Sequence, residues 1–376
     1  MRRRNCACCS SKLLDRDGHP LDHIILNRDD LLACLDACLT DGNLDAVRAR
    51  IADLRAQVAV WEPGGIWDSA TSEDGRVVFP RDVLLADLDQ ILATRTLQRT
   101  HYYIARLRKA AAEVRTGKIN DINLNRWKEY DEIITDSLWV MERRDNSGAH
   151  KAWYWGNFIP QIPHQMMLRY TKQGDWVLDT FVGSGTTLLE CLRLGRNGIG
   201  IELNADIAAR TRELVATAPN PHGVVADVVE GDSRTVDYAA VLAERGIAQV
   251  QLLLMHPPYH DIIRFSEDDR DLSNAASVDA FVAQFAEIVT RVTPFLERGR
   301  YLAIVIGDKY VKGEWIPLGF YLMQAVQAQG YTLKSIIVKN FDETRAKREQ
   351  KELWRYRALV GGFYIFKHEY ILLFQR

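Results

Sequence analysis

The run Val177-Leu178-Asp179-Thr180-Phe181-Val182-Gly183-Ser184-Gly185-Thr186-Thr187 constrains this chain more than any other stretch. An apolar segment runs straight into a Gly-x-Gly turn, and two threonines open a helix. Glycine permits a tight reversal and lets a ligand approach the backbone closely. The first amides of the following helix have no internal acceptors and point toward that ligand. About 20 residues later, the spacing such folds use, Gly200-Ile201-Glu202-Leu203-Asn204 ends a second apolar run with an acid. That acid is placed to accept hydrogen bonds from ribose hydroxyls. A lone Gly-x-Gly is often only a turn, but the whole string with its downstream acid predicts a binding loop.

The same rhythm extends to the C-terminus. Apolar runs at 176–179, 198–203, 224–229, 250–255, 301–306, 333–338 and 369–374 read as buried strands. Amphipathic stretches at 186–194, 205–217, 277–298 and 318–329 lie between them as helices. This alternation predicts a doubly wound α/β fold with a parallel-rich sheet covered on both faces. The last two runs are close enough to allow an antiparallel edge. Residues 1–140 read differently, as a mainly helical N-terminal domain with helices at 29–39, 43–58 and 83–115. The last of these is one helix, or two broken near 94–100.

Composition excludes some classes. With 47% hydrophobic residues the chain is not a disordered one. The 48 Lys and Arg against 50 Asp and Glu give a net charge of −2, which excludes a bulk basic protein but not local basic patches. No apolar run reaches the ~18–20 residues of a membrane span. Met1-Arg2-Arg3-Arg4-Asn5-Cys6 is not followed by an apolar leader segment, so the expected place is the cytoplasm, with reduced thiols. Cys6, Cys8 and Cys9 could join Cys34 and Cys38 in a zinc knot, but their spacing matches no strong zinc pattern. The expectation is structural cysteine and no metal.

The glycine string resembles motif I of the amino-methylating DNA methyltransferases, which modify adenine N6 or cytosine N4. That motif reads Asp-Pro-Phe-x-Gly-Ser-Gly-Thr-Thr, and here Thr180 stands at the proline. A dinucleotide site would want a third glycine where Leu188 stands. The resemblance implies S-adenosylmethionine as cofactor and a Rossmann-like domain with a seven-stranded mixed sheet over 141–376. Gly156-Asn157-Phe158-Ile159-Pro160-Gln161-Ile162-Pro163 resembles the family's motif X, which cradles the methionine moiety; a proline-rich entry loop is the plainer reading. The implied cofactor-binding set is Asn157, Ile159, Pro160, Asp179, Phe181, Gly183, Ser184, Gly185, Thr186, Thr187, Glu202, Leu203, Asn204, Asp232 and Ser233. Asp232 would contact the adenine, or serve only as a helix cap.

The apolar run Leu252-Leu253-Leu254-Met255 stops at His256-Pro257-Pro258-Tyr259. Family members place Asp, Asn or Ser first, then Pro-Pro and an aromatic. An exocyclic amine is a poor nucleophile because its lone pair is conjugated into the ring. Accepting hydrogen bonds from its N–H groups localises that pair. By resemblance, the first residue and the Pro257 carbonyl accept, and Tyr259 stacks on a base flipped out of the duplex. His256 departs from the family. A neutral imidazole still offers one acceptor nitrogen, so activity is expected to fail below roughly pH 6–6.5. The other reading is a degenerate site. His260-Asp261-Ile262-Ile263-Arg264-Phe265-Ser266 either lines the base pocket or is an ordinary loop.

Two stretches could meet phosphates. One holds Arg95, Arg99, Arg106, Arg108, Lys109, Arg115 and Lys118, interleaved with His101, Tyr102 and Tyr103. The other holds Arg345, Lys347, Arg348, Lys351, Arg355 and Arg357, with Trp354 and Tyr356 among them. Solvated helix faces are the plain alternative. Fewer than 25 residues separate Asp232 from His256, too few for a recognition domain. Target recognition therefore falls to residues 1–140.

The expected function is methyl transfer from S-adenosylmethionine to a base amine of duplex DNA. Cytosine N4 is favoured over adenine N6, because the Asp most common in adenine enzymes is absent. A cognate restriction partner is compatible with the family. The alternatives are an RNA or protein-glutamine methyltransferase, or a non-catalytic nucleic-acid-binding subunit. The strand at 369–374 resembles the family's last one and reads as framework.

Overall fold

Two separate bodies of packed side chains divide the chain. The computed structural model describes residues 23–61, 75–151, 153–340 and 351–376. One unit holds the described residues up to Gly117 together with Ile122–Glu132, and the other holds Lys118–Asp121 and Ile133–Arg376.

In the first unit, β1 (His23–Asn27) pairs antiparallel with β2 (Arg76–Pro80), and the described residues include four α-helices. These are α1 (Arg28–Thr40), α2 (Leu44–Ala59), α3 (Arg81–Leu92) and α4 (Leu97–Ala112). Asn27, Asn43 and Thr96 cap α1, α2 and α4 through side-chain oxygens. The reading of 83–115 as two helices is the observed one, with the break at 93–96 where Thr96 starts a new cap. Leu31, Leu35, Ile51, Leu54, Leu84, Leu88 and Ile104 form the core, at helical spacing.

The second unit carries an eight-stranded sheet. Its strands are β3 (Leu138–Trp139), β4 (Trp176–Asp179), β5 (Asn197–Glu202), β6 (Ala226–Glu230), β7 (Val250–Met255), β8 (Leu296–Ile306), β11 (Thr332–Asn340) and β12 (His368–Gln375). A separate hairpin, β9 (Lys309–Val311) with β10 (Glu314–Ile316), stands outside it. The order is β3-β11-β12-β8-β7-β4-β5-β6. Only β12 runs antiparallel to its neighbours. It lies inside the sheet, between β11 and β8, rather than at an edge as the sequence suggested. The eighth strand, β3, has two residues and is fixed by the burial of Trp139, so no alternation could announce it.

Both faces of the sheet are buried, and consecutive residues serve opposite faces. Leu178 and Leu253 join one apolar cluster, while Val177, Leu252 and Leu254 join the other. The first is closed by α9 (Val278–Val292) and α10 (Leu318–Gln327), which contribute Phe281, Phe285, Ile288, Leu318 and Leu322. The second is closed by α5 (Gln161–Tyr170) through Ile162, Met166 and Met167. Two more helices, α6 (Thr186–Leu194) and α7 (Ala205–Thr217), flank β5, and the short α8 (Tyr238–Ala243) precedes β7. The helix expected over 277–298 ends at Val292, because Pro294 sits in a 3-10 turn and Leu296 already begins β8. Pro163 falls in the first turn of α5, where its missing N–H costs nothing. Among the described residues, no helix is long and apolar enough to cross a membrane.

Candidate active site

Parallel pairing of β4 with β5 and β7 aligns the carboxyl ends of three strands. Asp179 is in register with Gly200 on one side and Leu254 on the other. Ligands of open α/β sheets lie outside such ends. The edge so formed gathers Asp179, Glu202 and His256.

The glycine turn is held by its own acids. Gly183 (φ 47°) and Gly185 (φ 82°) adopt left-handed backbone. A Cβ on Gly185 would stand 2.7 Å from Thr211 Cγ2, so α7 packs against a glycine by necessity. Asp179 is buried; its Oδ1 accepts from the Phe181 amide at 2.9 Å, and its Oδ2 from the Thr187 hydroxyl at 2.5 Å. Burial pushes its carboxyl up to about 6 against those two hydrogen bonds. Glu202 accepts from the Gly183 and Asn204 amides, each at 3.0 Å. Burial raises this carboxyl as well. Each Glu202 oxygen keeps a lone pair for a ligand. Thr186 is buried at the start of α6, while Phe181 and Leu203 are half-buried beside the turn.

The upstream segment reaches this turn. Asn157 Nδ2 donates to Ser184 Oγ at 3.0 Å. Arg144, unnoticed in the sequence, donates through Nη1 to the Phe158 carbonyl at 2.9 Å and to Asn157 Oδ1 at 3.3 Å. Ile159 packs into the cluster under α5, and buried Pro160 precedes that helix. The ring of Tyr154 lies over the turn: a Cβ on Gly183 would come 3.0 Å from its Cε1. Tyr154 stacks on Phe265 with centroids 5.8 Å apart, and Arg210 covers the adjoining Trp153 at 3.9 Å. Below, fully buried Glu190 bonds His150 Nε2 at 2.6 Å and His164 Nδ1 at 2.7 Å. Burial opposes ionisation of Glu190, but these bonds and the charges of His164 and Arg193 hold its carboxyl down at about 2. No motif pointed to this clamp, since its members are spread over forty residues.

Several expected cofactor residues have structural partners. Asn204 caps α7 through bonds from the Asp206 and Ile207 amides. Asp232 Oδ2 accepts from Arg234 Nη2 at 3.0 Å, and its Oδ1 from the Arg234 amide at 2.8 Å. Arg234 thus orients this carboxylate. Ser233 Oγ donates to the Thr180 carbonyl at 2.6 Å and ties this turn to the end of β4.

His256 emerges from β7 between Phe158, whose ring meets it edge-on at 4.9 Å, and Tyr259, at 5.6 Å. Its Nε2 lies 3.2 Å from the Tyr259 hydroxyl. That hydroxyl donates to Glu369 Oε2 at 2.8 Å, and Lys339 Nζ binds Glu369 Oε1 at 2.9 Å. Burial lowers the imidazole to about 4, with Lys339 acting in the same direction and Glu369 against it. The pH 6–6.5 expectation from the sequence used a free-imidazole value, which leaves this burial out. Pro257 is buried and Pro258 half-buried, and the ring edge of Tyr259 leans on Gly307, where a Cβ would come within 2.7 Å. Sequence reading treated the strand bearing Glu369 as framework. A lone acid and a lone lysine in two apolar strands were the available signal.

The loop after the tetrapeptide is tied to itself rather than open. His260, at φ 51°, is buried; its Nε2 bonds the Ala275 carbonyl at 2.8 Å and its Nδ1 meets Lys309 Nζ at 2.6 Å. Lys309 also binds Asp261 at 2.7 Å. Arg264 donates to Asn274 at 2.9 Å, and Ser266 to Asp271 at 2.8 Å. Ile262 is half-exposed at the loop's crest.

In the first unit, α4 presents Arg99 over Tyr102 and Tyr103, with Arg106 also over Tyr103. Arg108, one member of the basic stretch read from the sequence, is paired to Asp36 through two nitrogens. Arg345, Lys347 and Arg348 lie outside the described residues, as do Cys6, Cys8 and Cys9. Cys38 is buried in the helical core, and no group of three His, Cys, Asp or Glu suited to a metal occurs among the described residues.

Residues 89–213 match a family model described as DNA methylase, N6/N4 type. The matched stretch is about a third of the chain, and over it the sequence is similar to the N4/N6 DNA methylases. Among relatives, type II methyltransferase M.MjaII of Methanocaldococcus jannaschii is 45% identical over 74 residues, 19% of this chain and 14% of that protein. Type II methyltransferase M2.DpnII of Streptococcus pneumoniae is 55% identical over 90 residues, 22% of this chain and 34% of that protein. Type II methyltransferase M.MthZI of Methanothermobacter thermautotrophicus is 34% identical over 80 residues, 21% of each chain. The chain thus spans between 14% and 34% of the length of these relatives. The family's methyl donor is S-adenosylmethionine. The residues present fit it: left-handed glycines bare a helix N-terminus, and a buried carboxylate with spare lone pairs ends the next strand.

Proposed function

We propose that this protein transfers a methyl group from S-adenosylmethionine to an exocyclic amine of a DNA base flipped out of the duplex, with cytosine N4 preferred over adenine N6. One observation carries the reading. Asn157 is bonded to the glycine turn while its neighbour Phe158 packs against His256. The donor cradle and the acceptor residue are therefore joined through two consecutive residues.

When bound, the donor supplies an electrophilic methyl carbon on a sulfonium. The protein's part is placement. Glu202 offers lone pairs toward ribose hydroxyls, and the turn amides and Asn157 fix the far end. His256, neutral through burial, accepts one N–H of the target amine, and the Pro257 carbonyl accepts the other. Both acceptors are fixed before the base arrives, so no solvent reorganisation accompanies charge development. Tyr259 stands beside the base. The α4 cluster of Arg99, Tyr102, Tyr103 and Arg106 suits phosphate and base contacts, which favours residues 1–140 for recognition.

Label transfer from methyl-tritiated donor to mixed DNA and RNA tests the proposal. Label in DNA with the wild type and none with His256→Ala is the expected result. Label confined to RNA contradicts it, and donor binding with no transfer to either acceptor points to a non-catalytic subunit.

A further inference from the structure

Four side chains from two strands and the loop after β7 form one hydrogen-bonded line: Lys339, Glu369, Tyr259 and His256. Lys339 and Glu369 are buried, facing each other across the antiparallel pair β11 and β12 in register. The Lys339 ammonium occupies Glu369 Oε1 at 2.9 Å, which leaves Oε2 to accept from the Tyr259 hydroxyl at 2.8 Å. A hydroxyl has one proton. Given to a carboxylate, the stronger acceptor, that proton is not offered to the imidazole. The Tyr259 oxygen then faces His256 Nε2 with a lone pair, at 3.2 Å.

We propose that Glu369 and Lys339 are positioning residues that act through Tyr259 to hold His256 as its Nε2–H tautomer. Nδ1 is thereby left as the acceptor nitrogen presented to the target amine. The proposal rests on the methyl-transfer reading for its purpose, but the tautomer is a property of the free protein.

Lys339 makes the arrangement testable with an isosteric change. In Glu369→Gln the ammonium keeps the amide oxygen, so the amide NH2 must face Tyr259. The Tyr259 oxygen now accepts from that NH2, and its proton turns to His256 Nε2. The imidazole is then driven to Nδ1–H and presents a donor where an acceptor is needed.

The experiment is long-range nitrogen–proton NMR of His256 in the full chain near pH 7, with His256→Gln used to assign the signal. The wild type should show Nε2–H, and folded Glu369→Gln should show Nδ1–H. Methyl transfer, where wild type has it, should fall by about 10²-fold in that variant with donor affinity unchanged. A wild-type Nδ1–H tautomer overturns the proposal even if the variant does not fold. So does a folded Glu369→Gln that keeps Nε2–H, which is the outcome for a purely structural Glu369. A wild type with the Nε2–H tautomer and no transfer activity leaves the relay standing and defeats the functional reading instead.

Discussion

Asn157 Nδ2 donates to Ser184 Oγ across 3.0 Å and joins the upstream segment to the glycine turn. The bond spans 27 residues of sequence and adds to the approach of the Tyr154 ring over Gly183. Asn157→Ala removes this neutral hydrogen bond, about 1 kcal/mol, together with the longer one that Arg144 Nη1 donates to Asn157 Oδ1. Donor affinity measured by calorimetry should weaken about fivefold, with the melting temperature nearly unchanged.

A side chain at Gly185 is predicted to be structurally costly. Its φ of 82° is left-handed, and a Cβ would meet Thr211 Cγ2 at 2.7 Å. Gly185→Ala should lower stability by about 1–3 kcal/mol in chemical denaturation, through strain and the displacement of α7. Gly174 has a similar φ of 81° but open space around it, so alanine there should bear only the conformational part of the cost.

His256 should titrate near 4 rather than near 6.5. The groups facing it are Tyr259, Glu369 and Lys339. Burial lowers its pKa, and the folded protein takes up this proton only below the unfolded value. Between about pH 6.5 and about 4 the unfolded chain binds more protons, so this histidine makes stability fall as pH falls through that window. NMR titration of His256 should give a midpoint about 4, and the acceptor role should persist at pH 5.5. A midpoint near the free-imidazole value contradicts the buried site.

Arg99 and Arg106 both lie over the partly buried ring of Tyr103 on α4, whereas Arg108 is paired with Asp36. Arg99→Ala or Arg106→Ala should each reduce the slope of log binding against log salt by about 0.9 if that cation meets a phosphate. Arg108→Ala should alter the slope less, because its guanidinium is already paired with Asp36.

The parts of the fold and site that could be read from sequence are those written in local pattern. The strand, glycine turn and acid from Val177 to Glu202 declare themselves because backbone conformation and burial are set within a few residues. The place of β12 inside the sheet is set by pairing with β8 and β11, which no local signal encodes. Asp232 shows the limit of local pattern, because a short acid after a strand looks the same in sequence whether or not it also binds Arg234 as it does here. The Lys339–Glu369–Tyr259 line was hidden because its charges lie 30 and 110 residues from their partners. Such buried charges are visible only once strand neighbours are known.

Nucleoside mass spectrometry of DNA treated with the protein and S-adenosylmethionine is the most direct test of the central claim. The expected product is a methylated exocyclic amine, with N4-methylcytosine exceeding N6-methyladenine, that disappears with His256→Ala. Methylation at a ring carbon, or no methylated nucleoside from protein that binds both DNA and donor, would contradict it.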